Sequence, residues 1–92
     1  MSTYTFRNFY IPPHMLAGLQ RYIGHGEPVG GFLTAVLEND LIEACSRADD
    51  VNLENLPAYA AFLYARAPRD CYGSPEKVAA WIAMFETALV QS

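Results

Sequence analysis

The stretch Phe32–Asp50, "FLTAVLENDLIEACSRADD", decides the fold. Leu33, Val36, Leu37, Leu41, Ala44, Cys45 and Ala48 recur at helical spacing and can share one broad buried face, with Asn39, Glu43, Ser46 and Arg47 opposite. The spacing predicts one long helix over residues 29–48, in which the letters "ENDL" (Glu38–Leu41) form a polar interruption. Glu43 precedes Arg47 by four residues, the order that favours a surface pair worth about 0.3 kcal/mol. Asp40 falls at the border of the apolar face. It reads as a structural anchor, a carboxylate accepting hydrogen bonds from backbone N–H groups of a neighbouring loop or the N-terminal arm, ahead of a catalytic acid. On that reading Asp40→Asn lowers the melting temperature by several degrees.

Working outward, "TYTFRNFY" (residues 3–10) suggests a short extended arm lying over helices, from the even spacing of Tyr4, Phe6 and Tyr10. The double proline of "IPPHMLAGLQRYIGHG" suits a helix start, and Met15, Leu16, Leu19, Tyr22 and Ile23 form one stripe. Gly24 is the candidate left-handed residue ending a helix over residues 12–23. A third helix is expected over 53–66, with Asp50, Asn52 or Asn55 as its cap and Leu56, Tyr59, Ala60, Phe62 and Leu63 buried. The last, over 75–90, has Ser74 as cap, Pro75 in first position, Glu76 at the positive end, and Val78, Trp81, Ile82, Phe85 and Leu89 at helical spacing. The expected fold class is all-α: a compact four-helix bundle-like single domain over residues 1–92, with an extended arm at 1–10.

Composition bounds the functions. Ninety-two residues, 52% of them hydrophobic, suit one core that buries roughly 60–65% of the unfolded surface. A monomer or small homo-oligomer is expected. A net charge of −4 disfavours the phosphate attraction that direct nucleic-acid binding requires. No run of about 20 apolar residues offers a membrane span, "MSTYTFRNFY" has no signal-peptide core, and the two cysteines, Cys45 and Cys71, do not make a disulfide scaffold. These features predict a cytoplasmic protein without a membrane partner.

Chemical motifs are sparse. His14 and His25 lie roughly 16 Å apart along a helical axis, and no zinc or EF-hand spacing occurs, so neither a metal nor another cofactor is expected. "GEPVGGF" lacks the phosphate-binding fingerprints and reads as a turn. An enzyme would require Asp40, His14 and Cys71 to converge on a cleft, and the reading favours no enzyme. Residues 53–66, taken as the reading helix of a helix-turn-helix, carry one base, at the far end.

Between Glu38 and Glu54, by contrast, stand six acids and one arginine. An acidic face of this kind suits a basic protein surface, and Glu38, Asn39, Glu43, Asp49, Asp50 and Glu54 are the candidate partner-binding residues. The competing reading is an ordinary solvated helix face. Tyr4, Phe6, Phe9 and Tyr10 form a second candidate, an aromatic patch for a self-associating structural or assembly protein.

The segments "IPPHM", "RYIGHG", "GGFLTAVLENDL", "RADD" and "YGSPEKVAAW", in this order over residues 10–82, resemble a family of small uncharacterised proteins of tailed phages and proteobacterial prophages. The family brings no reaction, so no residue acquires a role from it. The resemblance implies phage biology in a bacterial host cell, where small acidic accessory proteins without catalytic motifs bind and block host or phage proteins; anti-CRISPR proteins are one such group. The partner it implies is a protein, such as a CRISPR effector or other defence complex.

Overall fold

The computed structural model describes the backbone of residues 3–91 and the side chains as far as Glu86. The chain is mostly helical with one small sheet: β1 (Tyr4–Phe6), β2 (Phe9–Ile11), α1 (Pro13–His25), α2 (Gly31–Leu37), α3 (Leu41–Arg47), α4 (Asp50–Glu54), α5 (Leu56–Arg66), a 3₁₀ turn at Arg69–Cys71, and α6 (Pro75–Gln91). Among the described residues six helices and a hairpin thus replace the expected four helices and arm.

The largest correction falls on "ENDL". The helix expected over 29–48 is two helices, because these residues end one and start the next. Asn39 takes the left-handed conformation at φ 63°, which asparagine tolerates better than most residues. Its N–H donates to the Val36 carbonyl at 3.1 Å while that of Asp40 reaches back to Ala35 at 2.9 Å, the paired bonds of a Schellman stop. Asp40 then caps α3, its Oδ1 accepting the Glu43 N–H at 3.2 Å. Because the chain changes direction here, the apolar face is not continuous: Ala44 is buried, yet Leu41 is 66% exposed and Cys45 lies on the surface.

A second stop and start divides the segment before α5. Asp49 caps α4 by accepting the Asn52 N–H at 2.8 Å, and α5 opens with Pro57 in its first turn, where the missing N–H costs nothing. The expected helix over 53–66 therefore begins at Leu56, and its Ala60 is exposed. Helix α1 runs past Gly24 and ends at Gly26, whose φ of 68° supplies the left-handed cap. The last helix follows its sequence signals: the Ser74 hydroxyl accepts the Lys77 N–H at 3.2 Å, Pro75 leads, and Val78 is buried. The expected core residue Leu89 lies outside the described side chains.

The arm folds on itself. Arg7, at φ 55°, turns the chain so that Tyr4 pairs with Ile11, Thr5 with Tyr10 and Phe6 with Phe9. This register puts Tyr4, Phe6, Phe9 and Ile11 against the core and turns Thr5 and Tyr10 outward. An isolated hairpin of this size is marginal in water, so its stability comes from α5. Tyr4 meets Phe62 edge to face at 5.2 Å, and the Tyr10 N–H donates to the buried Asn55 Oδ1 at 2.9 Å.

One apolar core joins these elements through Leu16, Leu19 and Tyr22 of α1, Phe32, Leu33 and Leu37 of α2, and Tyr59, Phe62 and Leu63 of α5. Each such side chain contributes roughly 1.5–3 kcal/mol on burial. The polar ends of its tyrosines are satisfied: Tyr22 donates to the Cys71 carbonyl at 2.7 Å and Tyr59 to Asn52 Oδ1 at 2.6 Å. Trp81 Nε1 donates to the Tyr22 carbonyl at 3.0 Å, tying α6 to α1.

Burial, reinforced by Cys71 for Tyr22 and by Asp49 for Tyr59, pushes both phenols well above their ordinary value of 10.0. Above pH 10.0 the unfolded chain therefore releases phenolic protons that the folded chain retains. The unfolded state then binds fewer protons, so stability falls as pH rises. Thermal melts should be insensitive to these groups below pH 10.0 and drop above it, and Tyr22→Phe should make the alkaline drop shallower. An alkaline slope identical in Tyr22→Phe and wild type would show that this phenol is not responsible.

Candidate functional site

Beside the break at Asn39–Asp40 a groove runs between α2, α3 and α5. Its volume is about 620 Å³. Val36, Leu41 and Ala44 line it from α2 and α3, Leu56, Ala60 and Tyr64 from α5, and Asn39, Asp40, Tyr72 and Gly73 also contribute. The Gly73 N–H holds the Leu37 carbonyl at 2.7 Å, so the loop before α6 is fastened beside the groove. Leu41 and Tyr64 rise from the lining with 66% and 82% of their surface in water, beside Ile42 at 83%. Single exposed apolar residues are ordinary, but two of this size in the lining of one apolar groove extend its surface into solvent and suit it to contact.

Asp40 has a different role from the expected one. It is exposed, and its side-chain bond is to the Glu43 N–H of its own helix. The arm is instead held by Asn55. Since asparagine caps a helix about as well as aspartate, Asp40→Asn is expected to change the melting temperature little, whereas Asp40→Ala should cost about 1 kcal/mol. Thermal unfolding of the two variants checks this, and equal losses in both would return the role to the charge.

The six candidate partner-binding residues do not form one helix face. Asn39 lines the groove, Glu38 and Glu43 line a neighbouring depression with Arg47, and Asp49, Asp50 and Glu54 are exposed on and before α4. Arg47, the one base of this stretch, pairs with Glu43 as the spacing suggests and lies against Gly31. The carboxylates of Glu38 and Asp40 thus stand near the groove with the local base engaged elsewhere.

The constellation an enzyme would need is not assembled at the groove. Asp40 lines it, but His14 and Cys71 do not. Cys71 is buried, and burial pushes its thiol up, away from the thiolate needed for attack. Among the described residues no three His, Cys, Asp or Glu side chains gather as metal ligands, and no helix is long and apolar enough to cross a membrane.

No family model, curated protein or solved structure matches the chain.

Of the aromatic patch, Tyr4, Phe6 and Phe9 are packed against the core, and Tyr10 alone is largely exposed, at 46%. Among the described residues the most exposed large apolar side chains are instead Leu41, Ile42 and Tyr64. A sequence signal for it existed: asparagine, then aspartate, then a glutamate three residues on is a helix stop followed by a capping pattern. With that break in place, the adjacent Leu41 and Ile42 at the start of a two-turn helix cannot both face inward.

Proposed function

We propose that the chain is a small non-enzymatic protein-binding accessory protein of phage or prophage origin, acting in the bacterial cytoplasm as an inhibitor of a host defence complex. The observation that supports it is the apolar groove of about 620 Å³ flanked by exposed Leu41 and Tyr64, with Glu38 and Asp40 beside it. Such a surface has the parts of a protein interface: apolar side chains for burial, and charge at the rim for steering and selectivity. The resemblance of the segments from "IPPHM" to "YGSPEKVAAW" supplies the phage setting and the kind of partner.

The test mixes the protein with purified bacterial RNA-guided nuclease complexes and follows co-elution and nuclease activity. A complex should form at low salt and weaken as salt rises. The combined reversals Glu38→Lys, Glu43→Lys and Glu54→Lys should reduce affinity on the order of tenfold, ~1.4 kcal/mol. Binding indifferent to the reversals rejects the acidic surface, and undiminished nuclease activity in a formed complex rejects inhibition.

A second reading has its own observation. Ile42 and Tyr64 are more than four-fifths exposed, at 83% and 82%, and a self-associating assembly protein would cover them with another copy. Light scattering at two concentrations separates the two, since a monomer keeps one mass at both.

A further inference from the structure

We infer that the occupant of the groove is one face of a basic amphipathic α-helix belonging to the partner. This deepens the protein-binding reading and rests on it. Three features of the groove carry the inference.

The first is the state of the backbone around it. The N–H groups of Asn39, Asp40 and Gly73 are already bonded to the carbonyls of Val36, Ala35 and Leu37. The groove is walled by helices and has no sheet edge among its lining residues. An extended segment laid there would bury its own N–H and C=O groups without partners, whereas a helix satisfies them internally. The second is shape. A small molecule is usually enclosed on most of its surface, but Leu41 and Tyr64 stand mostly in water beside an open trough. Apolar side chains presented one turn apart along a helix fill such a trough from above.

The third is charge. Asp40 is the one carboxylate in the lining, and Glu38 stands in the adjoining depression. Among the described residues that line the groove there is no Lys, Arg or His. With a net charge of −4 on the whole chain, lysines or arginines flanking the apolar stripe of the visiting helix are complementary, and a second copy of this acidic chain is not.

The experiment uses the full chain and a fluorescent peptide of ~16 residues, roughly 24 Å of helix, with leucines at i, i+4, i+7 and i+11 among lysines and alanines. Two controls keep the length: one moves the leucines to alternate positions, and one replaces lysine by glutamate. The Leu/Lys helix should bind at least tenfold more tightly than either control. Ala60→Trp, which fills the groove from an exposed position on α5, should weaken it tenfold or more, and Tyr64→Ser, which removes an exposed apolar ring without adding charge, should do the same. Asp40→Asn, which keeps the α3 cap, should weaken binding severalfold and flatten its salt dependence.

Equal binding of all three peptides, or binding untouched by both groove variants in folded protein, overturns the inference. A dimer abolished by Ala60→Trp, with no peptide bound to the wild type, overturns it in favour of a second copy. If the peptide fails while a nuclease complex co-elutes in an Ala60→Trp-sensitive way, the helical occupant is wrong and the protein-binding function stands. If the peptide binds as described and no defence complex does, the helix inference stands and the inhibitor reading fails.

Discussion

Gly26→Ala is expected to lower the melting temperature by roughly ten to twenty degrees, from a loss of about 2–4 kcal/mol in a domain of this size. Two costs combine at this residue. Its φ of 68° ends α1 in the left-handed region, where a side chain costs roughly 1–2 kcal/mol. A Cβ there would also sit 2.5 Å from Phe85 Cδ2 and 2.7 Å from Phe85 Cβ, so α6 itself, and not merely the tip of a flexible chain, obstructs it. Overpacking of this kind typically costs 1–3 kcal/mol, about as much again. A double-mutant cycle separates the two: in a Phe85→Gly background, which removes the Phe85 Cβ as well as the ring, the substitution should lose only the left-handed contribution. If Gly26→Ala costs the same in both backgrounds, the close approach of α1 and α6 does not constrain this glycine. That close approach is also what carries the Trp81 bond to the Tyr22 carbonyl, so the variant should loosen α6 before the rest of the core.

Asn55→Ala should lose about 1–3 kcal/mol and release the hairpin selectively. The Asn55 side chain is 5% exposed and makes two bonds: Oδ1 accepts the Tyr10 N–H at 2.9 Å, and Nδ2 donates to the Val51 carbonyl at 2.8 Å. Removing it leaves the Tyr10 N–H unpaired in a partly buried setting, costing roughly 1–3 kcal/mol less any relaxation or hydration, while the Val51 carbonyl keeps the Asn55 backbone N–H at 3.2 Å. Because the first bond spans forty-five positions in the chain, its loss has a local signature. Amide exchange at Tyr10 should accelerate well beyond what global destabilisation explains, while Leu19 and Tyr22 in α1 follow the global change. Uniform acceleration across all amides would show that Asn55 supports the whole fold and does not clamp the hairpin.

Much of the architecture was legible from periodicity and punctuation. The stripes of α1, and of α6 as far as Ile82, are legible because each helix is long enough for its apolar face to repeat, and because prolines and Ser74 mark their starts. Helices α2 to α5 were harder. Two-turn helices repeat an apolar face barely twice, so α2 and α3 can be read equally well as one longer helix. Their separation lies in single residues: Asn39 accepting a left-handed conformation, Asp40 as cap, Asp49 as the next cap. The hairpin shows in the sequence only as an extended arm, since Tyr4, Phe6, Phe9 and Ile11 share a face only once Arg7 turns the chain.

The sequence by itself determined the helical class, the acidic balance, the sparseness of catalytic motifs, and the Glu43–Arg47 pair. These depend on composition or on neighbours within about one helical turn. Only the tertiary structure decided that Asn55 and not Asp40 fastens the N-terminal segment, that Tyr4, Phe6 and Phe9 are covered, and that Leu41, Ile42 and Tyr64 are not. The groove belongs to this second group. Its lining comes from segments as far apart as Ala35 and Gly73, and includes the left-handed Asn39 that separates two short helices. Local spacing cannot set which residues from distant segments meet; that follows from how the helices pack once the backbone bends at "ENDL".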